Sequence, residues 1–458
     1  MKSKKSLHPS RFTLPALLFT LVSLPSFGEG QKVDFDHYFD GRTLRLDYTL
    51  AGDSASADIY FSQASVLPQW AGRRHWLAET FLNGNAQIEV RLHATDSLLY
   101  VHTFSTLFQE WQTEEEATKV RKAYQYCLLV PFPKRPVDIT VRLTDVHQRT
   151  ATELTHTIDP TDILIRPISD NGIAHRYLLQ NGTPDECVDI AILAEGYTAD
   201  QMEKFHADSQ RVVDALFSHE PFCSLRNCFN VVAIDCPSAD SGPSIPHRNT
   251  WRRTAIGAHY DTFYTERYLM VTDLPKVYDL LGTVPFEHVI VLVNTDVYGG
   301  GGIYNQITVT TSNHPTFKQV LVHEFGHAYA GLADEYYYDD QFTTMYPDDT
   351  EPWEPNITTL VDFQRKWADM VGKRTPIPTP PVNVKDEKAS DKKRKKLIHE
   401  LTQQVGVFEG GGYQSKGVYR PAQECRMKVN EVEDFCPVCA RAIRRTTEFY
   451  TRRNESRR

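Results

Sequence analysis

Between residues 32 and 157, apolar and polar residues alternate in short runs broken by turns. TLRLDYTL, ADIYFSQ, QIEVRLHAT, YQYCLLVPF and VDITVRLTD each read as a strand with one face turned inward. A polar, helix-like insert, WQTEEEATKVRKAY, interrupts them. Five or more such runs predict an antiparallel β-sandwich, assigned to residues 29–160. Turn-forming clusters (DPTD, ISDNG, NGTPDE) then mark a linker over 161–186. Beyond it the pattern changes. CVDIAILAEGY, FNVVAID and HVIVLVN are unbroken apolar runs, as strands buried on both faces require. ADQMEKFHADSQRVVDALFS places Met202, Phe205, Val212, Val213, Leu216 and Phe217 at helical spacing. Strands alternating with helices predict an α/β unit over 187–458 with a mixed, largely parallel sheet. The chain as a whole is thus an α+β multidomain protein.

Two further stretches carry weaker signals. Four glycines, Gly299 to Gly302, precede ITVTTS, whose alternation suits an exposed edge strand. The glycines read either as a mobile turn or as backbone left accessible for a peptide to pair with. No Gly-Lys-Ser/Thr follows, so a phosphate loop is excluded. KRTPIPTPPVNVKDEKASDKKRKK joins prolines to a charge run over 385–396 and reads as a solvated surface loop.

The amino-terminal stretch is read as a targeting segment. Lys2, Lys4, Lys5 and Arg11 precede a short apolar run, FTLPALLFTLVSL, and Ser26 and Gly28 suit a signal-peptidase cut. Residues 1–28 are therefore expected as a signal peptide, with export to the periplasm, cell surface or medium and a mature start near Glu29. The run is shorter than the roughly 20 residues that span a bilayer, so the mature chain is expected to have no stable membrane span. A net charge of −9 argues against nucleic acid as a partner. In an oxidising compartment the eight cysteines permit disulfides. Cys223 and Cys228 suit a bridge across a short loop. Cys436 and Cys439, with Cys425, read as a redox pair, a structural zinc site lacking an evident fourth ligand, or a disulfide; the disulfide is preferred.

The chemistry concentrates in VHEFGHAYAGLADEYYY, residues 322–338. HPTFKQVLVHEFGHAYAG reads as one helix, with Pro315 in its first turn and Gly331 at its exit. Phe317, Val320, Leu321, Phe325 and Ala328 form its apolar stripe. His323 and His327 leave one face a turn apart, about 6 Å between their β-carbons, so both rings can meet one Zn²⁺. Glu324 stands one step round the helix, aimed at the attacking water rather than the metal. On a straight helix Asp334 would lie about 10 Å from His327, too far to join them. The chain must leave the helix at Gly331 and fold back. Asp334 is the favoured third ligand, with Glu335 either holding a histidine or exchanging roles with it.

At these residues the chain resembles the IgA peptidase family of zinc metallopeptidases, within the metzincin-like group. ILAEGYT, TERYLMVT, GGGIYN, HEFGHAYAGLADEY, GGGYQSKGVYRP, ECRMK and FCPVC carry the resemblance. It implies a metzincin-like zinc-peptidase domain behind a β-rich amino-terminal one, and makes Met427 the methionine that floors the metal. Metzincins have glycine three residues after the second histidine and a ligand three beyond that. Here Gly331 comes four after His327, which keeps Asp334 and Glu335 both open.

The expected activity is therefore that of a secreted zinc metalloendopeptidase acting on a protein or peptide substrate. Zn²⁺ held by His323, His327 and Asp334 polarises the scissile carbonyl, and Glu324 serves as general base and then acid. Tyr413 or Tyr419 is a candidate to stabilise the oxyanion. Two other readings are an adhesin built on a degenerate peptidase fold and a zinc amidase.

Overall fold

A computed structural model describes residues 33–338, 342–382 and 391–451. The expected signal peptide and the first part of the 385–396 charge run lie outside the described residues. Among the described residues, no helix is long and apolar enough to cross a membrane.

The first half is rich in strands. A short helix, α1 (Phe35–Tyr38), leads into β1 (Phe39–Gly52), β2 (Ala57–Leu67), β3 (Ala86–Leu92) and β4 (Ser97–Phe104). Helix α2 (Leu107–Trp111) and a single 3₁₀ turn replace the longer helix suggested by the polar insert. Strands β5 (Lys122–Pro133), β6 (Val137–Thr144), β7 (Thr150–Ile158) and β8 (Arg166–Pro167) follow. They form two four-stranded sheets, ordered β5-β1-β2-β8 and β4-β3-β6-β7. Strands β3 and β6 alternate buried and half-buried positions along their whole length, as strands with one inward face must. Leu44, Leu46, Ile88, Val90, Val137 and Ile139 supply the buried side chains.

The second half is built on one six-stranded sheet. Strands β9 (His175–Leu179) and β10 (Val188–Glu195) precede α3 (Met202–Leu216) and α4 (Phe222–Leu225). Then come β11 (Phe229–Ile234), α5 (Leu274–Leu281), β12 (His288–Val293), β13 (Gly300–Ile303), β14 (Ile307–Thr311) and α6 (Phe317–Ala330). Helix α7 (Asp391–Gln403), the hairpin β15 (Phe408–Gly411) and β16 (Gln414–Arg420), and α8 (Pro437–Thr451) complete it. The sheet order is β13-β14-β12-β10-β11-β9. The four central strands run parallel, and β13 and β9 are antiparallel edges. Strands β10, β11 and β12 are buried at every position, which their unbroken apolar runs require.

Four expectations are corrected. The stretch expected as a linker contains β9, which pairs with β11 and so belongs to the sheet. ITVTTS supplies an internal strand, β14, buried throughout, and the glycines themselves form the edge strand β13. They do so because side chains would not fit: a Cβ on Gly302 would lie 2.3 Å from the Glu324 carbonyl oxygen of α6. The described end of the charge run is helical, its solvated lysines opposite Leu397, Ile398 and Leu401, which are half-buried or buried. The Cys223–Cys228 bridge is not formed. Cys223 sits in α4 and Cys228 ends the next helical turn, and at about 100° per residue five steps point the two thiols apart.

The halves are fastened together by polar contacts. Arg45 of β1 ion-pairs with Asp47 at 2.7 Å and reaches across to Asp279 of α5 at 2.6 Å. The Asn305 amide donates to the Thr103 carbonyl at 2.8 Å, and Ser105 N–H donates to the Tyr304 carbonyl at 3.0 Å.

Candidate metal centre

Helix α6 forms where expected, with its stripe residues Phe317, Val320, Leu321, Phe325 and Ala328 buried. Pro315 falls just outside it, since Thr316 is the cap. Gly331 ends the helix in the left-handed conformation at φ 59°, and its N–H bonds back to the His327 carbonyl. The chain then returns toward the helix face. Asn356 holds that return by bonding both the N–H and the carbonyl of Ala333, at 2.7 and 2.9 Å.

The return brings Asp334 to the two imidazoles. His323 Nε2 and His327 Nε2 are 3.0 Å apart, and Asp334 Oδ1 lies 3.0 Å from the first and 3.3 Å from the second. Each ring is oriented by its other nitrogen. His323 Nδ1 bonds the Arg426 carbonyl at 3.0 Å, and His327 Nδ1 bonds the Leu332 carbonyl at 2.5 Å. A carbonyl only accepts, so both Nδ1 atoms carry a proton, which leaves both Nε2 atoms as the ones a metal would meet. Both Nε2 atoms and a carboxylate oxygen therefore face one another at about 3 Å, an arrangement that one shared cation, proton or metal, satisfies. The spacing matches the edge of about 3.3 Å between ligands on tetrahedral arms of about 2.0–2.1 Å. These residues fit a divalent metal with nitrogen and oxygen ligands.

The electrostatics agree with that fit. Burial acts to raise the Asp334 carboxyl, but the charge of His327 and the bonds from both imidazoles outweigh it and hold the group well below the usual carboxylate range. Burial acts to lower His327, and Asp334 reverses it, pushing the imidazole up to about 9. The cluster thus demands positive charge even without a metal. Burial raises Glu324, with His323 and His327 opposing. Its side chain crosses the glycine edge strand, where a Cβ on Gly300 would stand 3.0 Å from Glu324 Cγ.

Tyr413, a candidate for the oxyanion, instead donates its hydroxyl to Asp334 Oδ2 at 2.5 Å. Tyr419 sits in β16 with its backbone paired to Thr358. Met427 is fully buried beneath α6, its sulfur 3.1 Å from where a Cβ on Gly326 would be. Glu335 neither joins the imidazoles nor orients them, since both Nδ1 atoms are taken by carbonyls. It turns the other way, as alternate residues of an extended segment do. Its Oε1 accepts from Asn356 at 3.0 Å and from the Cys439 thiol at 3.1 Å. The disulfide preferred for this group is not formed: Cys425 Sγ and Cys439 Sγ stand 3.8 Å apart, with Cys436 beside them.

One neighbour had no sequence signal. Glu110 of α2, from the other half of the chain, accepts from the Tyr268 hydroxyl at 2.7 Å. Burial pushes its carboxyl up to about 7, and its charge is felt at His327 and Asp334. It stands in a polar stretch with no spacing that singles it out.

The family models match along most of the chain. One described as Peptidase M64 N-terminus matches residues 34–155. One described as IgA Peptidase M64 matches residues 177–400 and 389–447, taking in α6, the returning loop and the three clustered cysteines. No curated protein matches the chain. With more than half of its length matched, and with two histidines and an aspartate gathered at one point, the chain belongs to the IgA peptidase M64 family and is a metallopeptidase.

Proposed function

We propose that the chain is an exported zinc metalloendopeptidase that hydrolyses internal peptide bonds of protein substrates. The observation that carries this reading is the convergence of His323 Nε2, His327 Nε2 and Asp334 Oδ1 beside Glu324. Two imidazoles and one carboxylate suit a catalytic zinc, which keeps a fourth position open. Bound there, zinc would polarise the scissile carbonyl and make water acidic enough to lose a proton near neutral pH. Glu324 takes that proton as general base and returns it to the leaving amine. Tyr413 holds Asp334 in place, and the two backbone carbonyls keep the imidazoles turned toward the cation.

The edge strand β13 runs beside Glu324 and is built of glycines. In this reading an extended peptide lies along it beyond Gly300, which itself bridges to Tyr268, and this favours cutting within a chain over trimming its ends. The likeness to metzincins and the packing of the first two sheets as a sandwich belong to the same proposal. Export rests on the leader-like stretch 1–28, and predicts a secreted protein whose first residue lies near Glu29.

A cleavage-site profile on a mixed protein library tests the activity. The proposal expects cuts inside chains that vanish with a chelator and return with zinc. Absence of cleavage with zinc supplied, or cuts confined to chain ends, contradicts it.

A further inference from the structure

Behind the proposed catalytic centre, Glu335, Cys425, Cys436 and Cys439 gather four donor atoms within 4.8 Å of one another. All four residues are buried, with Glu335 and each cysteine at 0 % exposure. We infer that they form a second metal site, a structural zinc held by three thiolates and one carboxylate. It goes beyond the proposed hydrolysis and does not rest on it.

The geometry carries the inference in three ways. Zinc–sulfur arms of about 2.3 Å at the tetrahedral angle put two sulfurs about 3.8 Å apart. Cys425 Sγ and Cys439 Sγ are 3.8 Å apart. The sulfur–oxygen edge is shorter, about 3.6 Å, because the oxygen arm is about 2.0–2.2 Å; Cys439 Sγ to Glu335 Oε1 is 3.1 Å, which a metal would widen by about 0.5 Å. Second, Glu335 Oε2 is buried without a hydrogen-bond partner among the described residues. A buried carboxylate with a bare oxygen is costly unless a cation meets it. Third, a disulfide leaves the group unsolved. It joins two of three thiols and strands the remaining thiol beside that carboxylate, whereas one zinc takes all four donors.

The local fold supports the same occupant. Cys436 and Cys439, separated by two residues, straddle the start of α8, a spacing common to zinc sites. The Cys436 N–H points at Cys425 Sγ at 3.4 Å, a donor that favours a thiolate there. Buried Arg420 lies within electrostatic reach of Glu335 and Cys425, offsetting negative charge.

The position gives the second metal a purpose. Glu335 follows Asp334 directly, and its N–H bonds the Met427 carbonyl at 2.8 Å. Cys425 precedes Arg426, whose carbonyl orients His323. A zinc tying Glu335 to Cys425 therefore braces both the returning loop and the turn beneath the histidines.

Metal analysis of the purified full chain tests the inference. Wild type should carry two zinc ions per chain, and a His323→Ala/His327→Ala variant one. Loaded with cobalt(II), that variant should show thiolate-to-cobalt charge-transfer absorption, and adding Cys436→Ser/Cys439→Ser should abolish it. Should the added serines prevent folding, the histidine variant alone decides. If that variant binds no zinc and shows no such absorption, the site does not exist. Mass mapping of wild type that finds two of the three cysteines joined as a disulfide also overturns it.

Discussion

Asp334 is held from three sides: by His323, by His327 and by the Tyr413 hydroxyl. Tyr413→Phe keeps the packing and removes only the last bond. Partners of this kind typically change metal affinity or activity by about 10–100-fold. Zinc affinity by chelator competition should fall within that range, and an unchanged value would show that Asp334 needs no such support. Asp334→Ala should abolish zinc binding at the histidines, whereas Glu335→Ala should leave it weakened but present. The paired histidines were legible because helical spacing is local: four residues make one turn. The choice between Asp334 and Glu335 was not. It depends on the hairpin that catches the returning loop, where Gly412 N–H bonds the Asp334 carbonyl and Tyr413 lies 79 residues away in sequence. In sequence Glu335 reads as holding a histidine or exchanging roles with Asp334, because nothing there reveals the three cysteines on its other side.

Elements were legible where hydrophobic pattern and environment agreed. β10, β11 and β12 were found because unbroken apolar runs have few other uses in a soluble chain. β14 was misplaced because its threonines alternate with Ile307 and Val309 like a half-exposed strand, yet Thr308, Thr310 and Thr311 are all fully buried. The edge is instead β13, whose glycines tolerate α6 at close range. Gly302→Ala should cost about 1–3 kcal/mol, the usual price of overpacking, because its Cβ would meet the Glu324 carbonyl oxygen at 2.3 Å. A urea midpoint unmoved by it would mean that β13 is free to shift away. A second test concerns Asp189 in β10, whose carboxyl burial pushes up to about 7, against an opposing bond from Asn230. In the unfolded chain the group titrates near 3.9. Between about pH 4 and 7 the native chain therefore holds a proton that the unfolded chain has released. That contribution to stability is complete below about pH 4 and is lost as pH rises through 7. Asp189→Asn should remove this slope, so variant and wild-type stability should diverge as pH rises from 5 to 8. Parallel curves would refute it.

At the scale of the molecule, the strand-rich half is bound to the peptidase half rather than strung beside it. Arg45 is 2 % exposed and joins Asp47 to Asp279 across the boundary. Arg45→Met would leave Asp47 buried with no cation beside it, only the Gln63 amide and the Cys127 thiol, and removing one partner of a buried pair costs about 3–5 kcal/mol. Thermal unfolding of the whole chain should move down accordingly; an unchanged midpoint would show the contact to be idle. Glu110, which the first half contributes beside the histidines, could not be read from sequence, because contacts between distant segments leave no periodic trace. The central claim is that Glu324 moves the proton at a metal held by His323, His327 and Asp334. It is tested most directly by Glu324→Gln, measured for bound zinc and for cleavage of a protein library together. The expected result is undiminished zinc with cleavage reduced by about 10²–10⁴-fold, the usual worth of a general base. Cleavage at the wild-type rate by the zinc-loaded variant would contradict the account.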